Sequence, residues 1–578
     1  MNYIISVLDR PITQKPLLFI FIILLQSIPG WLFCITAYIE NPIVRTICWL
    51  LFITGLPALI SWFVCLINNK LLTIITCVLS IFLFSLNIFL ILNFNSMLSP
   101  WILLLCHETN KAESSEFINN YAFTSHSIYT YLLTLLVIII FYVGKQKKFS
   151  FRINHPSIIA IMMAIWLTIG FLQLFVLCNM FTKNKQYELQ RWYEGIAFYA
   201  IENTPSNFIY SFYHLHLTSQ DNILALKSCV KASKIAAKCN YNDSLEIVVI
   251  IGESFSKHHA SLYGYNLKTT PNMEAEQQRG NLFVFNNAVT PYNMTTFAFK
   301  NMISTNSLSL GQYWTDYPIF TIIFKQAGFY VTMWDNQKAI GSVTFHDFSI
   351  SSYLYSKQMT KLAYNDVNEK LYDYNLELIE NALHYKKNKQ HTLTVYHLIG
   401  QHLQAKWRYP NNEKNTMFTE YDINRPDLNS EERQAIAEYD NATHYNDLVI
   451  NQIFNYYRNR CAAIVYLSDH GEEVYDYRHV IGRTHEPKKD KLSLTYQYQI
   501  PFIIWCSDIY KKQNPDIVSR IENAVDKPFM SDNLPHLLFT LGNIKTPYYC
   551  PEKDLLNSKY QCGKRIIQNT TDYDEVIR

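Results

Sequence analysis

The sequence predicts two architectures in one chain: an N-terminal α-helical transmembrane domain of five spans, then an α/β sandwich with a mainly parallel sheet. Three observations support this. The first third is a succession of long apolar segments almost free of ionisable residues. After Lys238-Cys239-Asn240 the pattern changes to short β-branched runs alternating with stretches of helical periodicity. Four of those runs stop at carboxylates or histidines, at the strand ends where open α/β sheets place their chemistry.

The spans cover 16–37, 43–67, 71–94, 128–143 and 158–180; the fourth is the shortest and can extend through 124–127. A cleavable leader is not expected, because apolar segments follow one another without a cleavage site. Pro29-Gly30 predicts a kink in the first span. Arg10 and Lys15 precede that span, Lys70 follows the second, and Lys145, Lys147, Lys148 and Arg152 follow the fourth. Basic residues mark the cytoplasmic side, so the N-terminus is cytoplasmic and everything after the fifth span lies outside. Arg45 alone points the other way. The loop 96–127, containing His107-Glu108-Thr109-Asn110, is then external too. Aromatic residues mixed with polar ones through 184–222 suit a bilayer interface. The expected organisation is therefore 1–182 in the membrane, 183–240 as an interfacial bridge, and 241–578 as a catalytic domain.

Hydrophobic residues make up 49% of the chain against 17% charged, and the net charge of +3 is too small and too dispersed to suggest nucleic acid. No Lys/Arg tract, finger spacing or Walker loop is present. A transporter is disfavoured because the spans offer almost no ionisable residues to line a path. Of the twelve cysteines, six lie in the apolar third, where they act as small hydrophobes. Cys229/Cys239 and Cys550/Cys562 are close local pairs in polar stretches and are expected to form disulfides in an oxidising compartment. Cys461 and Cys506 are expected to be buried and free.

The chemistry gathers at the strand ends. The run 245–251 stops at Gly252-Glu253-Ser254, and 328–333 stops at Trp334-Asp335-Asn336. The run 392–399 stops at Gly400-Gln401-His402, and 462–467 at Ser468-Asp469-His470-Gly471. Side by side, these would place carboxylates and imidazoles along one sheet edge, a donor set that suits zinc or a similar divalent ion. Thr295 lies near the start of a predicted helix, MTTFAFKNMIST. Free backbone N–H groups and the positive helix end would stabilise an alkoxide or a phosphoryl oxygen there.

The blocks Ile250-Ile251-Gly252-Glu253-Ser254, Ser261-Leu262-Tyr263-Gly264-Tyr265 and Thr269-Thr270-Pro271-Asn272 resemble those of the lipopolysaccharide phosphoethanolamine transferases. These are inner-membrane enzymes of the alkaline phosphatase/sulfatase superfamily. Trp334-Asp335-Asn336, His397 to His402 and Tyr466 to Glu473 match further family blocks, and the likeness extends through the spans to the His107–Asn110 loop. It implies a sulfatase-type sandwich and zinc held by Glu253, Thr295, Asp469 and His470. Thr295, counted back from Met302-Ile303-Ser304, becomes the nucleophile; Thr296 and Thr290 are its neighbouring alternatives. His402 is implied as a substrate-side residue holding phosphate or a second metal. His479 and His485 compete for a further family histidine, and His485, in Gly482-Arg483-Thr484-His485, fits its setting better. Substrate contacts are implied for Glu108, Asp335 and Lys338. One tight zinc site is expected, with a second near His402 and His485.

The implied reaction moves phosphoethanolamine from phosphatidylethanolamine to a lipopolysaccharide acceptor, core sugar or lipid A, by way of a phospho-threonine. The implied setting is the bacterial inner membrane, with a periplasmic catalytic domain and a monomeric chain among membrane lipids. No cysteine lies between Cys239 and Cys461, unlike the lipid A-modifying branch, so the chain looks nearer the core-modifying branch. The Cys/Ser-Pro-Arg motif of true sulfatases is absent, which disfavours sulfate ester hydrolysis. The alternatives are a phosphoglycerol or other phospho-group transferase acting on a glycan, and a catalytically retired membrane scaffold.

Overall fold

The computed structural model describes residues 7–8, 11, 13–37, 42–94, 96–100, 102–103, 106, 117–118, 121–146, 156–184, 188–189, 192, 203–338, 350–385, 389–402, 404–483 and 490–578. Two compact units emerge, Met1–Asp221 and Asn222–Arg578.

Long apolar runs without backbone partners of their own must form helices, and the first unit contains α1 (Pro16–Ala37), α2 (Pro42–Ile67), α3 (Lys70–Phe94), α4 (Ser125–Gln146) and α5 (Pro156–Met180). Among the described residues four stretches are long and apolar enough to cross a membrane: Pro16–Phe33, Lys70–Phe94, Ser125–Val143 and Ser157–Met180. Within α2 the apolar run Phe52–Ile67 is shorter. Helices α2 and α5 meet backbone to backbone: a Cβ on Gly170 would lie 2.6 Å from the Gly55 carbonyl oxygen. Gln173 of α5 enters the ladder of α2. Its Oε1 accepts from the Leu56 N–H at 2.7 Å, and its Nε2 donates to the Phe52 carbonyl. Pro57 has no N–H for the Ile53 carbonyl, which lies 3.5 Å from the Ser27 hydroxyl instead.

In the second unit the β-branched run forms β1 (Leu245–Gly252) at the centre of a seven-stranded sheet. The other strands are β2 (Leu282–Val284), β3 (Tyr330–Asp335), β4 (Asp366–Val367), β5 (His391–His397), β6 (Ala462–Ser468) and β9 (Phe502–Cys506). Their order is β2-β9-β6-β1-β5-β3-β4. The five strands from β6 to β4 run parallel, while β9 and β2 close one side antiparallel. The four runs singled out from the sequence are thus consecutive neighbours. Their ends are in register: Gly252 pairs with Ser468, Ile251 with His397, and Asp335 with His397. β3 begins and ends two residues later than expected, because Gly328 turns the chain at φ 93° and pairing with β5 continues through Asp335.

Alternate residues of one strand share a face, so Val248 and Ile250 point together and meet helix α8 (Ser430–Tyr457). Val449, Ile450, Ile453 and Phe454 of α8 share that core with Ile464 and Tyr466 of β6. An Asn429/Glu432 capping box starts α8, with both hydrogen bonds at 2.9 Å.

The two expected disulfides do not form; Cys229, Cys239, Cys550 and Cys562 are free thiols. Helix α6 (Thr204–Ala232) buries Cys229 with its Sγ 3.8 Å from the Tyr353 hydroxyl. Cys239 lies in a two-residue strand paired with Ile544–Lys545, and its thiol is directed at the Gly542 carbonyl, 3.4 Å away. The Cys550 thiol is directed at the Glu552 carboxylate at 3.4 Å, and Cys562 pairs with the Tyr560 hydroxyl. Closeness in sequence was misleading because each pair divides between elements with different partners. Cys506 is buried and Cys461 half-buried; both are free, as expected.

Candidate metal centre

The chain turns sharply at the end of β1. A Cβ on Gly252 would fall 2.2 Å from the Tyr466 hydroxyl, and Ser254 adopts φ 56°, in the left-handed region. This turn brings the Ser254 N–H 3.1 Å from Asp469 Oδ1 and the Ser254 hydroxyl 2.8 Å from Glu253 Oε1. Tyr439 of α8 supports the turn from behind, accepting from the Ser256 N–H at 2.8 Å and donating to the Ser254 carbonyl at 2.5 Å.

Glu253, from the end of β1, and Asp469-His470, from the end of β6, meet because those strands are adjacent. All three are fully buried. His470 Nε2 lies 3.2 Å from Glu253 Oε1 and 3.0 Å from Asp469 Oδ2. Helix α7 (Thr295–Ile303) begins at Thr295, whose hydroxyl donates to Glu253 Oε2 at 3.0 Å and lies 3.2 Å from His470 Nε2. Thr296 is buried in the same helix, and Thr290 donates to the Tyr292 carbonyl at 3.1 Å.

These residues fit a divalent cation. One potential ligand atom from each of Glu253, Asp469 and His470 lies within 4.8 Å of the others. Asp469 Oδ2 is buried without a hydrogen bond. His470 Nδ1 stands 2.9 Å from the Gly471 carbonyl; a proton held between them would leave Nε2 to coordinate. Two carboxylates, one imidazole and a hydroxyl form the hard N/O set that zinc accepts in four-coordinate sites. The electrostatics agree. Burial opposes the charge on Glu253, yet His470, with His402 and Arg483 around it, holds that carboxyl well below its ordinary range. Asp469 shifts upward through burial and the neighbouring Glu253 charge. Burial pushes His470 down, but Asp469 and Glu253 raise it to about 9.

His402 is on the loop after β5, whose start is pressed against the Glu253 backbone: Gly400 has φ 44°, and the Gln401 N–H donates to the Glu253 carbonyl at 3.0 Å. Its Nδ1 is buried without a hydrogen bond. Burial drives the imidazole down to about 4, so it is neutral at neutral pH.

Asp335 and Lys338 have other partners. Asp335 accepts from His397 Nδ1 at 3.0 Å, from the Gln337 N–H at 2.7 Å and from the Tyr355 hydroxyl. Lys338 donates to the Asn368 carbonyl and stands 5.9 Å from the Tyr355 ring centre. His479 is mostly exposed and paired with Glu432 at 2.9 Å. Glu108 and His485 lie outside the described residues.

Four residues at the centre were not assigned from the sequence: Gln337, His397, Glu472 and Arg483. Gln337 Nε2 reaches Glu253 Oε2 at 3.3 Å and His397 Nε2 at 3.1 Å, linking the Asp335–His397 pair to the candidate cation ligands. The only signal for His397 was its position as the first residue of the His397–His402 block.

The sulfatase family profile matches residues 246–544, more than half of the chain. The chain belongs to the sulfatase family. Within it the chain resembles the phosphoethanolamine transferase EptC of Escherichia coli K12, at 26% identity over 490 residues, 82% of this chain and 80% of that one. The phosphoethanolamine transferase CptA of Salmonella typhimurium is 25% identical over 482 residues, with the same coverage. The crystal structure of the periplasmic domain of E. coli EptC in complex with zinc superposes with a TM-score of 0.51 at 26% identity. That match covers 59% of this chain and 96% of the domain. The integral membrane lipooligosaccharide phosphoethanolamine transferase A of Neisseria meningitidis, 18% identical, shares the fold over 93% of this family member and 97% of its own length, with a TM-score of 0.63.

Proposed function

We propose that this enzyme transfers phosphoethanolamine from phosphatidylethanolamine to a lipopolysaccharide acceptor, a core sugar or lipid A, through Thr295. The observation that carries this reading is the Thr295 hydroxyl at a helix N-terminus, 3.0 Å from Glu253 and 3.2 Å from His470. The names of the relatives supply the transferred group, and resemblance to EptC and CptA at matching coverage favours the core-modifying branch.

Glu253, Thr295, Asp469 and His470 would hold one zinc ion. Bound zinc supplies positive charge that eases deprotonation of the threonine and neutralises phosphoryl oxygens. The Thr295 oxygen attacks phosphorus, and the bond from phosphorus to the glycerol oxygen breaks. Diacylglycerol leaves with the threonine proton, and phosphoethanolamine remains on Thr295. A hydroxyl or phosphate oxygen of the acceptor then attacks the same phosphorus and restores the threonine. The first turn of α7 presents backbone N–H groups to the charge that develops. Neutral His402, whose Nδ1 has no hydrogen-bond partner, would bind the phosphoryl group or accept a proton from the acceptor. The family resemblance assigns the ethanolamine to Glu108 and the substrate side to His485. Five spans with a cytoplasmic N-terminus hold a monomeric chain in the inner membrane, and 183–240 bridges to the periplasmic catalytic domain 241–578.

Intact-protein mass spectrometry after incubation with phosphatidylethanolamine tests this. A phosphoethanolamine adduct is expected on the wild type and not on Thr295→Ala. An adduct persisting in the variant would move the nucleophile elsewhere, Thr296 first.

A further inference from the structure

A short hairpin follows the Asp469-His470 pair: β7 (Glu473–Val474) and β8 (Ile481–Gly482). In its antiparallel register Ile481 faces Val474 and Gly482 faces Glu473. Continued by one residue, that register puts Arg483 opposite Glu472. Gly482, at φ 129°, makes the turn that a side chain would resist. The hairpin therefore returns a cation to the centre that β6 has just left.

Arg483 Nη1 lies 3.2 Å from the Ser254 hydroxyl, 3.5 Å from Glu472 Oε2 and 3.8 Å from Glu253 Oε1, and it reaches both ring nitrogens of His470. Glu472 is 1% exposed, and both of its carboxylate oxygens are buried without a hydrogen bond. The transfer chemistry above has no use for it. Counting charge gives it one. Glu253, Asp469 and Glu472 bring three buried carboxylates to one centre, and a single divalent cation leaves one negative charge unanswered. An anionic phosphodiester would then meet net repulsion. Arg483 brings the centre to neutrality and offers a planar fork shaped for phosphoryl oxygens.

We propose that Arg483, anchored across the hairpin by Glu472, is the group that grips the phosphoryl oxygens at this centre, so that the chain works with one divalent cation. Arg483 is a catalytic residue in this scheme and Glu472 a positioning residue. The inference rests on the transferase reading, and its test separates the two.

The test uses full-length protein, wild type and Arg483→Ala, Arg483→Lys and Glu472→Gln. Zinc per chain is measured by elemental analysis, folding by thermal unfolding, phosphoethanolamine adduct formation against phosphatidylethanolamine concentration, and inorganic phosphate binding by calorimetry. Wild type and Arg483→Ala are expected to hold one zinc per chain. Adduct formation should fall by about 10²–10³-fold in Arg483→Ala, the usual loss for removing one transition-state donor. Free guanidinium should restore part of it. Arg483→Lys should recover less than full rate, because a point charge lacks the fork. Glu472→Gln should weaken phosphate binding while zinc content stays at one. Wild-type adduct rates in Arg483→Ala, two zinc ions per wild-type chain, or loss of zinc in Arg483→Ala would each overturn the proposal. If the wild type forms no adduct, the transferase reading fails. Phosphate calorimetry then decides: equal affinity in wild type and Arg483→Ala ends the proposal, and a loss of tenfold or more upholds it.

Discussion

Replacing Gly400 measures how tightly the loop after β5 holds Glu253, a proposed cation ligand. Gly400 has φ 44°, and a Cβ there would lie 2.5 Å from the Glu253 carbonyl oxygen and 2.8 Å from its backbone nitrogen. Both neighbours are backbone, so no side chain can rotate to make room. Real contacts of this kind stay above 3.0 Å, so one backbone must retreat by at least about 0.5 Å. Catalytic constellations tolerate roughly that much error, and displacements near 1 Å cost about 10²-fold. Gly400→Ala is therefore expected to lower zinc affinity and the rate of phosphoethanolamine adduct formation by about 10–100-fold. The control is Gly264→Ala. Gly264 also has positive φ, 97°, but a Cβ there meets nothing within 4 Å. Both variants share the left-handed penalty of about 1–2 kcal/mol, and only one touches Glu253. Zinc titration of metal-stripped full-length protein, with thermal unfolding alongside, separates strain from displacement. If Gly400→Ala bound zinc and reacted as Gly264→Ala does, the packing argument would be refuted.

Two further predictions concern groups away from the cation. His259 is buried, with Nδ1 2.7 Å from Asp440 and Nε2 3.5 Å from Asp476; burial opposes its charge, but these carboxylates raise it to about 10. Asp440 is raised as well, by burial. Both groups therefore hold protons more firmly folded than unfolded, and stability falls as pH rises from the unfolded histidine value near 6.5 through about 10. Thermal unfolding against pH should show this decline in the wild type and a flatter profile in His259→Asn; parallel profiles would sink the assignment. Cys229, Cys239, Cys550 and Cys562 are expected to be alkylated in denaturant without prior reduction. Labelling that requires a reductant would reinstate the disulfides.

Much of the centre was legible in the sequence because it depends on strand ends. Glu253 and Asp469-His470 each follow a continuous apolar run, and parallel neighbours bring such ends to one edge without help from loops. The helix after Thr295 was legible from its spacing, but the choice of Thr295 itself came from the resemblance of Met302-Ile303-Ser304 to the end of the family's nucleophile helix. The rest depends on pairings between distant residues that no local pattern encodes. Asp335 was read as a substrate contact, and only the adjacency of β3 and β5 reveals His397 beside it. Arg483 lay in a quoted block but was passed over for its histidine, because only the hairpin register reveals that it faces Glu472. The cysteine pairs failed for the same reason: spacing along the chain does not tell which element each thiol joins.

The carboxamide of Gln173 has a mechanical consequence for the anchor. By standing between the Phe52 carbonyl and the Leu56 N–H, it makes one rung of α2 out of a side chain of α5. In hydrocarbon neither backbone group could find water if that rung opened. Sliding or rolling one helix past the other would also drive Gly170 into the Gly55 carbonyl. The two helices are thus riveted at a single height in the bilayer and move as one body. Any flexing of the anchor must be taken up by other helices.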